Sequence, residues 1–249
     1  MISFDDSHYR NIGDLKVSPI SLGSVKFGRN TNVKYPKPFD LPSTQQIERL
    51  VSIAQDLGIN LIDTAPAYGN SESRIGELLK GSRQNWLIST KVGERYDGDS
   101  YYDFSATQVR QGIHHSLQQL QTDYLDFALI HCSDDDLNDL KTTDAIAEIL
   151  KLQTEGYIRH VGASTKTIHG SLFALEAMDV VMVEVDQLSE LDKTNRPLMV
   201  KKALQSGHSK NFSEGIQTVL SYSQVSTVVV GTINEKHLLE NVANAIKAL

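Results

Sequence analysis

The sequence predicts an α/β protein of the (β/α)8 barrel class, and three observations lead to that prediction. Apolar strand-like runs alternate with amphipathic helical segments along nearly the whole chain. The length of 249 residues is close to the length that is typical of an eight-fold barrel. An open doubly wound sheet usually carries a G-x-G-x-x-G turn after its first strand, and residues 23–28, GSVKFG, do not match that pattern. We therefore expect one barrel domain over residues 1–249.

The first half of the chain supplies four of the predicted strands and the clearest helix starts. Ser43 and Gln46 form a capping-box pattern ahead of the first long helix, and Gly58 stands in the usual position after its end. Ser105 and Gln108 repeat the capping-box pattern before a later helix. The predicted strands cover residues 17–23, 60–65, 86–92 and 124–132, and a further helix covers residues 72–80.

The second half continues the alternation, with one interruption after the sixth strand. The segment 188–197 is too short and too polar for a full covering helix. Either the protein lacks this helix or the printed chain lacks residues there, and we favour the second explanation because uncovered strands would expose apolar surface. The remaining predicted strands cover residues 158–164, 180–187, 198–204 and 227–232, and the predicted helices cover residues 143–154, 170–178, 214–223 and 235–249, the last capped by Asn234.

Composition and charge exclude several function classes. The net charge of -7 argues against a nucleic-acid partner, although a local cluster of N–H groups and lysines can still bind an anionic cofactor. No apolar run is long enough to span a bilayer, and the N-terminus does not resemble a signal peptide. The single cysteine and the spacing of the histidines predict neither an internal disulfide nor a metal site. We expect a soluble, cytoplasmic protein that binds neither nucleic acid nor membrane, and the sequence leaves its oligomeric state open.

Four polar side chains in the first half stand at, or just after, the ends of predicted strands. Asp63, Lys91 and His131 end three strands, and Tyr68 lies in the turn after the first of them. Because the C-terminal ends of barrel strands converge on one face, we expect all four side chains to meet there. A phenol has an ordinary pKa of about 10, and a nearby ammonium group lowers that pKa. Each residue alone has an ordinary structural explanation, but the combination predicts a site that gives a proton to a carbonyl oxygen.

Seven segments carry a resemblance to a known family. They are residues 22–23, 62–72, 89–92, 126–131, 161–164, 230–234 and 240–241. On these segments the chain resembles the aldo-keto reductases, barrel enzymes that reduce aldehydes and ketones with NAD(P)H. The resemblance implies NADP as the cofactor, with NAD possible, and a small carbonyl compound as the substrate. It also implies Tyr68 as the general acid in a catalytic tetrad of Asp63, Tyr68, Lys91 and His131.

The resemblance further implies a set of contacts to the cofactor. Ser164 matches a serine that contacts the nicotinamide amide, and the turn at residues 231–234 leads into a helix N-terminus, where anions bind readily. Asn234 could instead be a plain helix cap, and Glu240 and Asn241 could lie on a solvated helix face. The implied cofactor-binding residues are Ser164, Lys201, Gly231, Thr232, Asn234, Glu240 and Asn241.

Several positions depart from the common pattern of the family. Thr165 stands in place of an asparagine, Met182 in place of a glutamine, and Lys201 in place of a tyrosine that stacks on the nicotinamide. Gly231 and His237 occupy positions where many members carry a basic residue for the 2′-phosphate, so the preference between NADP and NAD stays open. The lysines that could compensate are Lys201, Lys202 and Lys236.

Other readings of the chain also stay open. A cofactor-binding sensor or regulatory subunit on the same barrel, or a barrel isomerase or lyase without redox chemistry, would share much of this pattern. Cys132 is predicted to be a small core residue, and the acidic run 134–136 is predicted to be a solvated loop. The loop aromatics that could line a substrate pocket, or simply pack on the surface, are Phe27, Tyr35, Tyr96, Tyr101 and Tyr102.

Overall fold

A closed ring of parallel strands forms the centre of the protein. The computed structural model describes residues 2–203 and 212–249. The strands are β1 (Arg10–Ile12), β2 (Leu15–Val17), β3 (Ile20–Gly23), β4 (Leu61–Asp63), β5 (Leu87–Val92), β6 (Glu94–Asp97), β7 (Asp99–Tyr102), β8 (Leu125–His131), β9 (Ile158–Ser164), β10 (Val180–Val183), β11 (Leu198–Val200) and β12 (Val225–Val230). The barrel contains β3, β4, β5, β8, β9, β10, β11 and β12 in that order, and β12 pairs with β3 to close it. The predicted (β/α)8 class is confirmed.

Helices surround this barrel and cover its outer face. They are α1 (Val25–Gly28), α2 (Thr44–Asp56), α3 (Ser71–Leu78), α4 (Ala106–Gln119), α5 (Asp136–Thr142), α6 (Ala145–Thr154), α7 (Ile168–Ala177), α8 (Leu188–Leu191), α9 (Phe212–Leu220) and α10 (Glu235–Ile246). Short apolar strands buried on both faces are what a parallel barrel requires, because its interior is filled with side chains. Within the two described ranges, no helix combines the length and the apolar character needed to cross a membrane.

An N-terminal hairpin plugs one end of the barrel. Its strands β1 and β2 pair antiparallel, and Ile12, Leu15 and Val17 pack against Leu61 and Phe127 inside the ring. The plug occupies the end where the barrel strands begin. Among the described residues, the opposite face, where the strands end, is therefore the side from which a ligand can reach the interior.

The same hairpin corrects the first predicted strand. Residues 17–23 were expected to form one strand, but Val17 belongs to β2 and the barrel strand begins at Ile20. Pro19 separates the two strands because it has no backbone N–H for a sheet ladder. Its carbonyl oxygen instead accepts the Val228 N–H at 2.8 Å, which starts the pairing with β12.

The segment after β10 is short. A 3₁₀ turn at Val185–Gln187, helix α8 and a second 3₁₀ turn at Asp192–Thr194 connect β10 to β11. Leu188 and Leu191 are fully buried and cover the strands. The structure thus has a shortened connection between β10 and β11, and the explanation by missing residues stays a prediction.

The predicted ends of the neighbouring strands also shift. The strand expected over residues 180–187 ends at Val183, where the 3₁₀ turn takes over. The strand expected over residues 198–204 ends at Val200, and Leu204 lies outside the described residues. Lys201 and Lys202 therefore follow β11 rather than lie within it. Lys202 adopts a left-handed backbone, with φ of 57°.

The two predicted capping boxes differ in detail. At α2 the box is complete, because Gln46 N–H donates to Ser43 Oγ at 3.2 Å and Ser43 N–H donates to Gln46 Oε1 at 2.7 Å. At α4, Ser105 Oγ accepts the Gln108 N–H, but the Ser105 N–H donates to Asp103 Oδ1 at 2.9 Å instead of to the glutamine. The backbone N–H of Ser105 is thus satisfied by Asp103, a residue that the capping-box pattern did not include.

One member of the acidic run 134–136 is structural rather than solvated. Asp136 is buried, and its carboxylate accepts the backbone N–H groups of Lys166 and Thr167, each at 2.7 Å. The Thr167 hydroxyl donates to the same carboxylate. The prediction of a solvated loop is therefore wrong at this position, because the carboxylate satisfies the backbone of the turn after β9.

A second hairpin lies on the face where the barrel strands end. Strands β6 and β7 pair antiparallel across a turn at Gly98, whose φ is 82°. The loop after α1 packs against the hairpin, with the Arg29 guanidinium 3.4 Å from the centre of the Tyr96 ring. Asn32 Nδ2 donates to Gly98 O at 2.7 Å. This hairpin was expected to be a loop, and it brings an additional charged residue to the site described below.

A buried carboxylate ties three barrel strands together near the plugged end. Asp126 of β8 is 1% exposed, and its Oδ2 accepts from Arg83 Nη2 at 2.8 Å and from the Ile88 N–H at 2.9 Å. Its Oδ1 accepts from Arg159 Nη1 at 3.2 Å. Because a buried carboxylate without partners would be costly, these three hydrogen bonds stabilise it.

We expect Asp126→Asn to lower the free energy of unfolding by about 2 kcal/mol, because it weakens charge-assisted hydrogen bonds while keeping the side-chain shape. Urea denaturation measures this change. Asp123→Asn is the matched control, since Asp123 is exposed just before β8, and we expect a change within about 0.5 kcal/mol. Equal effects of the two substitutions would contradict the structural role of Asp126.

Candidate active site

A buried ion pair forms the base of the site. Lys91 Nζ donates to both carboxylate oxygens of Asp63, at 2.8 and 2.7 Å, and to the carbonyl oxygen of Thr64 at 2.9 Å. Ser89 Oγ donates to Asp63 Oδ1 at 3.0 Å. Ser89 and Lys91 are two residues apart on β5, so both point to the inside of the barrel, next to the end of β4. Burial lowers the pKa of Lys91, but the charge of Asp63 and their hydrogen bond outweigh it, so the pKa is raised and Lys91 stays charged.

The turn after β4 places Tyr68 above this pair. A 3₁₀ turn at Pro66–Tyr68 carries the phenol, and Lys91 Nζ lies 4.9 Å from the centre of its ring. Gly69 follows with a φ of 64°, and a Cβ atom there would lie 2.2 Å from the Gly28 carbonyl oxygen. Glycine is therefore required at this position, because it permits both the backbone conformation and the close approach. Tyr68 itself stays partly exposed, so a ligand can reach it.

The pKa of Tyr68 differs from the sequence-based expectation. Burial raises this pKa, and the nearby Lys91 charge opposes the increase without cancelling it. Lys91 lowers the pKa as expected, but desolvation of the phenolate is the larger effect. Tyr68 is therefore protonated throughout the neutral range, which is the form that a proton donor requires.

His131 completes the cluster from the end of β8. Its ring lies perpendicular to that of Tyr68, with 6.3 Å between the ring centres. Its Nδ1 lies 2.7 Å from Glu94 Oε2, although the oxygen is displaced from the ideal direction of the ring N–H. Burial lowers the pKa of His131, and the Glu94 charge only partly opposes this effect. The structure thus brings the four sequence-predicted residues to one face of the barrel.

Glu94 is a site residue that the sequence analysis missed. It lies on β6, and Ser100 Oγ donates to its Oε1 at 2.6 Å. Burial raises the pKa of Glu94, but the interaction with His131 outweighs this effect and lowers the pKa to about 2. A signal was available, because Asp97-Gly98 flanked by aromatic residues is typical of a hairpin that folds back over the face.

A cavity of about 530 Å³ lies beside the cluster, between the β6–β7 hairpin and α4. It is not the tetrad pocket, because its lining contains Glu94 but none of the four predicted catalytic residues. Three of the loop aromatics line it, whereas Phe27 is fully buried in the core and has a packing role. The lining includes Pro66, Glu94, Tyr96, Tyr101, Tyr102 and His115.

Two of the implied cofactor residues touch each other. Lys201 Nζ donates to the hydroxyl of Ser164 at 2.8 Å, and Ser164 is fully buried at the end of β9. Burial lowers the pKa of Lys201 to about 7, so a substantial fraction of this amine is neutral at physiological pH. The adjacent Lys202 pairs with Glu184 instead. A hydroxyl and an amine therefore meet beside His131, because Ser164 is the register partner of His131 on the neighbouring strand.

The turn after β12 is packed against a loop aromatic. A Cβ atom on Gly231 would lie 2.6 Å from the hydroxyl of Tyr35. Thr232 is nearly buried, and its Oγ1 accepts the Asn234 N–H at 3.0 Å. Burial raises the pKa of Tyr35 to about 12, so this phenol stays neutral.

Asn234 serves as the cap of α10. Its Oδ1 accepts the N–H groups of Lys236 and His237, at 2.9 and 3.3 Å. Two of the N–H groups that an anion would use are thus already bonded. This agrees with the interpretation of Asn234 as a plain helix cap. Glu240 lies on the exposed face of α10 and is 3.8 Å from Lys236 Nζ, whereas Asn241 is buried.

The remaining departures from the family pattern have packing roles. Thr165 is buried, with its hydroxyl 2.6 Å from that of Ser171. Met182 lies in the apolar interior of the barrel. Cys132 is fully buried, as predicted, and burial raises the pKa of its thiol well above the usual range.

We expect Lys91→Met to lower the free energy of unfolding by about 3–5 kcal/mol, because it leaves the Asp63 carboxylate buried without its cation. The double variant Asp63→Asn, Lys91→Met buries no charge and should recover a large part of that loss. Urea denaturation of the wild type, both single variants and the double variant measures the coupling. Strictly additive losses would contradict the interpretation of the two residues as one electrostatic unit.

Comparison with known proteins places the chain in a family. The model of the Aldo/keto reductase family matches residues 19–189. The L-galactose dehydrogenase of Arabidopsis thaliana is 32% identical over 178 residues, covering 69% of this chain and 52% of that protein. The D-arabinose 1-dehydrogenase of Saccharomyces cerevisiae is 34% identical over 161 residues, covering 60% of this chain and 45% of that protein. The matched region thus spans about half the length of these curated relatives.

Solved structures extend the comparison over nearly the whole chain. A crystal structure from Pseudomonas aeruginosa, described as an aldo-keto reductase, is 38% identical with a TM-score of 0.89, covering 99% of this chain and 96% of that one. A holo aldo-keto reductase from Bacillus halodurans has a TM-score of 0.79 at 23% identity, covering 97% and 91% of the two chains, and supports the fold alone. Since the family model matches well over half of the residues, the chain belongs to the aldo/keto reductase family.

Proposed function

We propose that this protein is an NAD(P)H-dependent oxidoreductase that reduces aldehyde or ketone carbonyls to alcohols, with Tyr68 as the general acid. The observation that carries this proposal is the contact of the Asp63–Lys91 ion pair with Tyr68 at the open end of the barrel. Membership of the family supports oxidoreductase chemistry on carbonyls. Two of the relatives, the L-galactose dehydrogenase and the D-arabinose 1-dehydrogenase, are named for oxidoreductase chemistry on sugars, which supports the same class of reaction.

The roles of the side chains follow from their charges. Negative charge develops on the carbonyl oxygen as the carbonyl carbon is reduced, and Tyr68 donates its proton to that oxygen. The phenolate left behind faces the Lys91 ammonium, which stabilises it in a site with little water. Asp63 keeps that ammonium charged and fixed in position. The bound nicotinamide cofactor supplies the hydride.

The side of the barrel mouth that is formed by the ends of β9, β11 and β12 suits the cofactor. Ser164 is a buried hydroxyl and Lys201 an amine, and both can hydrogen-bond to amide or phosphate groups. Thr232 adds a polar group just before the N-terminus of α10, and Asn241 adds one in the middle of that helix. The dipole of α10 favours negative charge at its N-terminus even where Asn234 occupies the first N–H groups. We propose NADP as the cofactor, with NAD as the alternative. Lys236 is then the candidate for the 2′-phosphate, since it is exposed and only weakly engaged by Glu240.

We expect Tyr68→Phe to lower kcat for NADPH-dependent reduction of nitrobenzaldehyde by about 10²–10⁴-fold, because it removes the proton donor and keeps the ring. Loss of NADPH absorbance measures the rate, and calorimetric titration should show unchanged binding of the cofactor. Equal rates in both proteins would contradict the role of Tyr68. Tight cofactor binding by the wild type without turnover of any carbonyl would favour a sensor, and absence of cofactor binding would favour a barrel enzyme without redox chemistry.

We expect NADPH to bind more tightly than NADH, and Lys236→Met to weaken NADPH binding about tenfold while leaving NADH binding unchanged, since it removes one charge-assisted contact to phosphate. Calorimetric titrations of each protein with both cofactors measure these constants. Lys247→Met is the matched control, because Lys247 is exposed at the far end of the same helix. Equal affinities for NADPH and NADH in the wild type would contradict the NADP assignment.

A further inference from the structure

The side chain of Lys201 points into the barrel mouth. Lys201 directly follows β11, and its backbone N–H donates to Val183 O at 2.9 Å, which extends the pairing with β10. Met199 lies two residues earlier in the apolar interior, so Lys201 points to the same side of the strand, one layer nearer the mouth. Its Nζ donates to Ser164 Oγ, which lies at the end of β9, two strands away. The amine thus lies inside the ring of strands, above an apolar layer.

Lys201 differs from Lys91, the other inward lysine, because it has no carboxylate partner. Lys91 donates to both oxygens of Asp63. Among the residues that the structure describes, Lys201 takes part in no ion pair, and the carboxylate of Glu184 is engaged by Lys202 instead. Two lysines in the same mouth therefore have opposite electrostatic surroundings.

The charged groups around Lys201 leave its amine partly neutral. Burial is the largest effect and lowers the pKa. Glu184 after β10 opposes this decrease, whereas the positive charges of Lys202 on the same segment and of Lys91 on β5 add to it. With a pKa of about 7, roughly half of the amine carries a free lone pair at neutral pH.

The groups that face Lys201 from β8 and β9 carry no charge near neutral pH. Burial lowers the pKa of His131 and raises the pKa of the Cys132 thiol, so both side chains are neutral there. Ser164 can accept a hydrogen bond from a neutral amine as well as from an ammonium group. These three groups therefore do not keep a proton on the amine.

We propose that Lys201 is a covalent attachment site for small aldehydes. Its nitrogen lone pair attacks the carbonyl carbon and forms a C–N bond, and the two amine hydrogens leave with the carbonyl oxygen as one molecule of water, which gives an imine. The step needs no oxidant or reductant. Desolvation and a neighbouring cation are typical of lysines that form imines, and Lys202 supplies the cation here.

This reaction goes beyond the proposed reductase function, because it uses neither a hydride nor Tyr68. Lys201 is partly exposed, so a small molecule can reach it. An adduct on its amine occupies the side of the mouth that is proposed for the cofactor. The aldehyde and the cofactor therefore compete for this position.

Reductive trapping in the cofactor-free protein tests the imine. Propanal forms the imine, cyanoborohydride reduces it to a stable secondary amine, and peptide mass spectrometry locates the product. An ordinary lysine has a pKa of about 10.4, so only about one amine in 10³ is neutral at pH 7. We expect Lys201 to be labelled at least about tenfold faster than Lys80, which is exposed just after α3. Equal labelling, or faster labelling of Lys80, would overturn the proposal.

A matched pair of substitutions at Ser164 tests the physical cause. Ser164→Asp places a carboxylate beside the amine, and an opposite charge at this distance raises a lysine pKa by about 1–3. Labelling of Lys201 at pH 7 should therefore fall about tenfold or more and recover near pH 10. Ser164→Asn has nearly the same shape without the charge and should be labelled at a rate close to that of the wild type. Equal rates in the two variants at pH 7 would contradict the proposed reactivity.

Oxidised NADP tests the competition, because it cannot reduce propanal. At ten times its dissociation constant it should slow the labelling of Lys201 about tenfold and leave that of Lys80 unchanged. Labelling that NADP does not slow, although calorimetry shows it bound, would overturn the competition. Selective labelling of Lys201 in a protein that turns over no carbonyl would support the covalent site and count against the reductase function alone.

Discussion

The Asp63–Lys91 ion pair is the interaction on which the rest of the site depends. Removing two charges from water is costly, and a buried pair is tolerated only when its geometry satisfies every donor and acceptor. Here the lysine donates to both carboxylate oxygens and to Thr64 O, and Ser89 supplies a further donor to the carboxylate. Barrel closure provides this geometry, because it sets the ends of β4 and β5 side by side in parallel register. A fixed positive charge at the base of the mouth results.

Two opposing effects act on the pKa of Tyr68, and their balance suits a proton donor. Burial stabilises the neutral phenol, while Lys91 stabilises the phenolate. A phenol held neutral at rest, yet placed beside a cation, loses its proton most readily when an adjacent oxygen gains negative charge. The plug formed by β1 and β2 contributes indirectly, because it closes the other end of the barrel and confines access to this mouth.

Sequence periodicity predicted the features that depend on local pattern and failed where distant segments meet. The barrel and the four strand-end residues followed from alternation and from the rule that parallel strands end on one face. The observed strand ends differ from the predicted ones where a proline or a 3₁₀ turn interrupts the extended backbone, as at Pro19 and Val185. Asp136 and Glu94 were missed because their roles depend on partners 30 or more residues away along the chain. The opposing effect of burial on Tyr68 likewise depends on packing that no motif encodes.

The carboxylates of Asp63 and Glu94 have different electrostatic effects on the site. Asp63 meets an amine with a high intrinsic pKa, so the pair persists as ions and supplies a permanent charge. Glu94 meets an imidazole whose intrinsic pKa lies near neutrality, and two lysines and burial keep that ring neutral. The first carboxylate thus holds a charged partner on one side of Tyr68, whereas the second lies beside a neutral imidazole on the other side. A ligand that enters this mouth therefore meets a cation behind the phenol and an uncharged ring beside it, and this asymmetry arises because the two partners differ in intrinsic pKa and in burial.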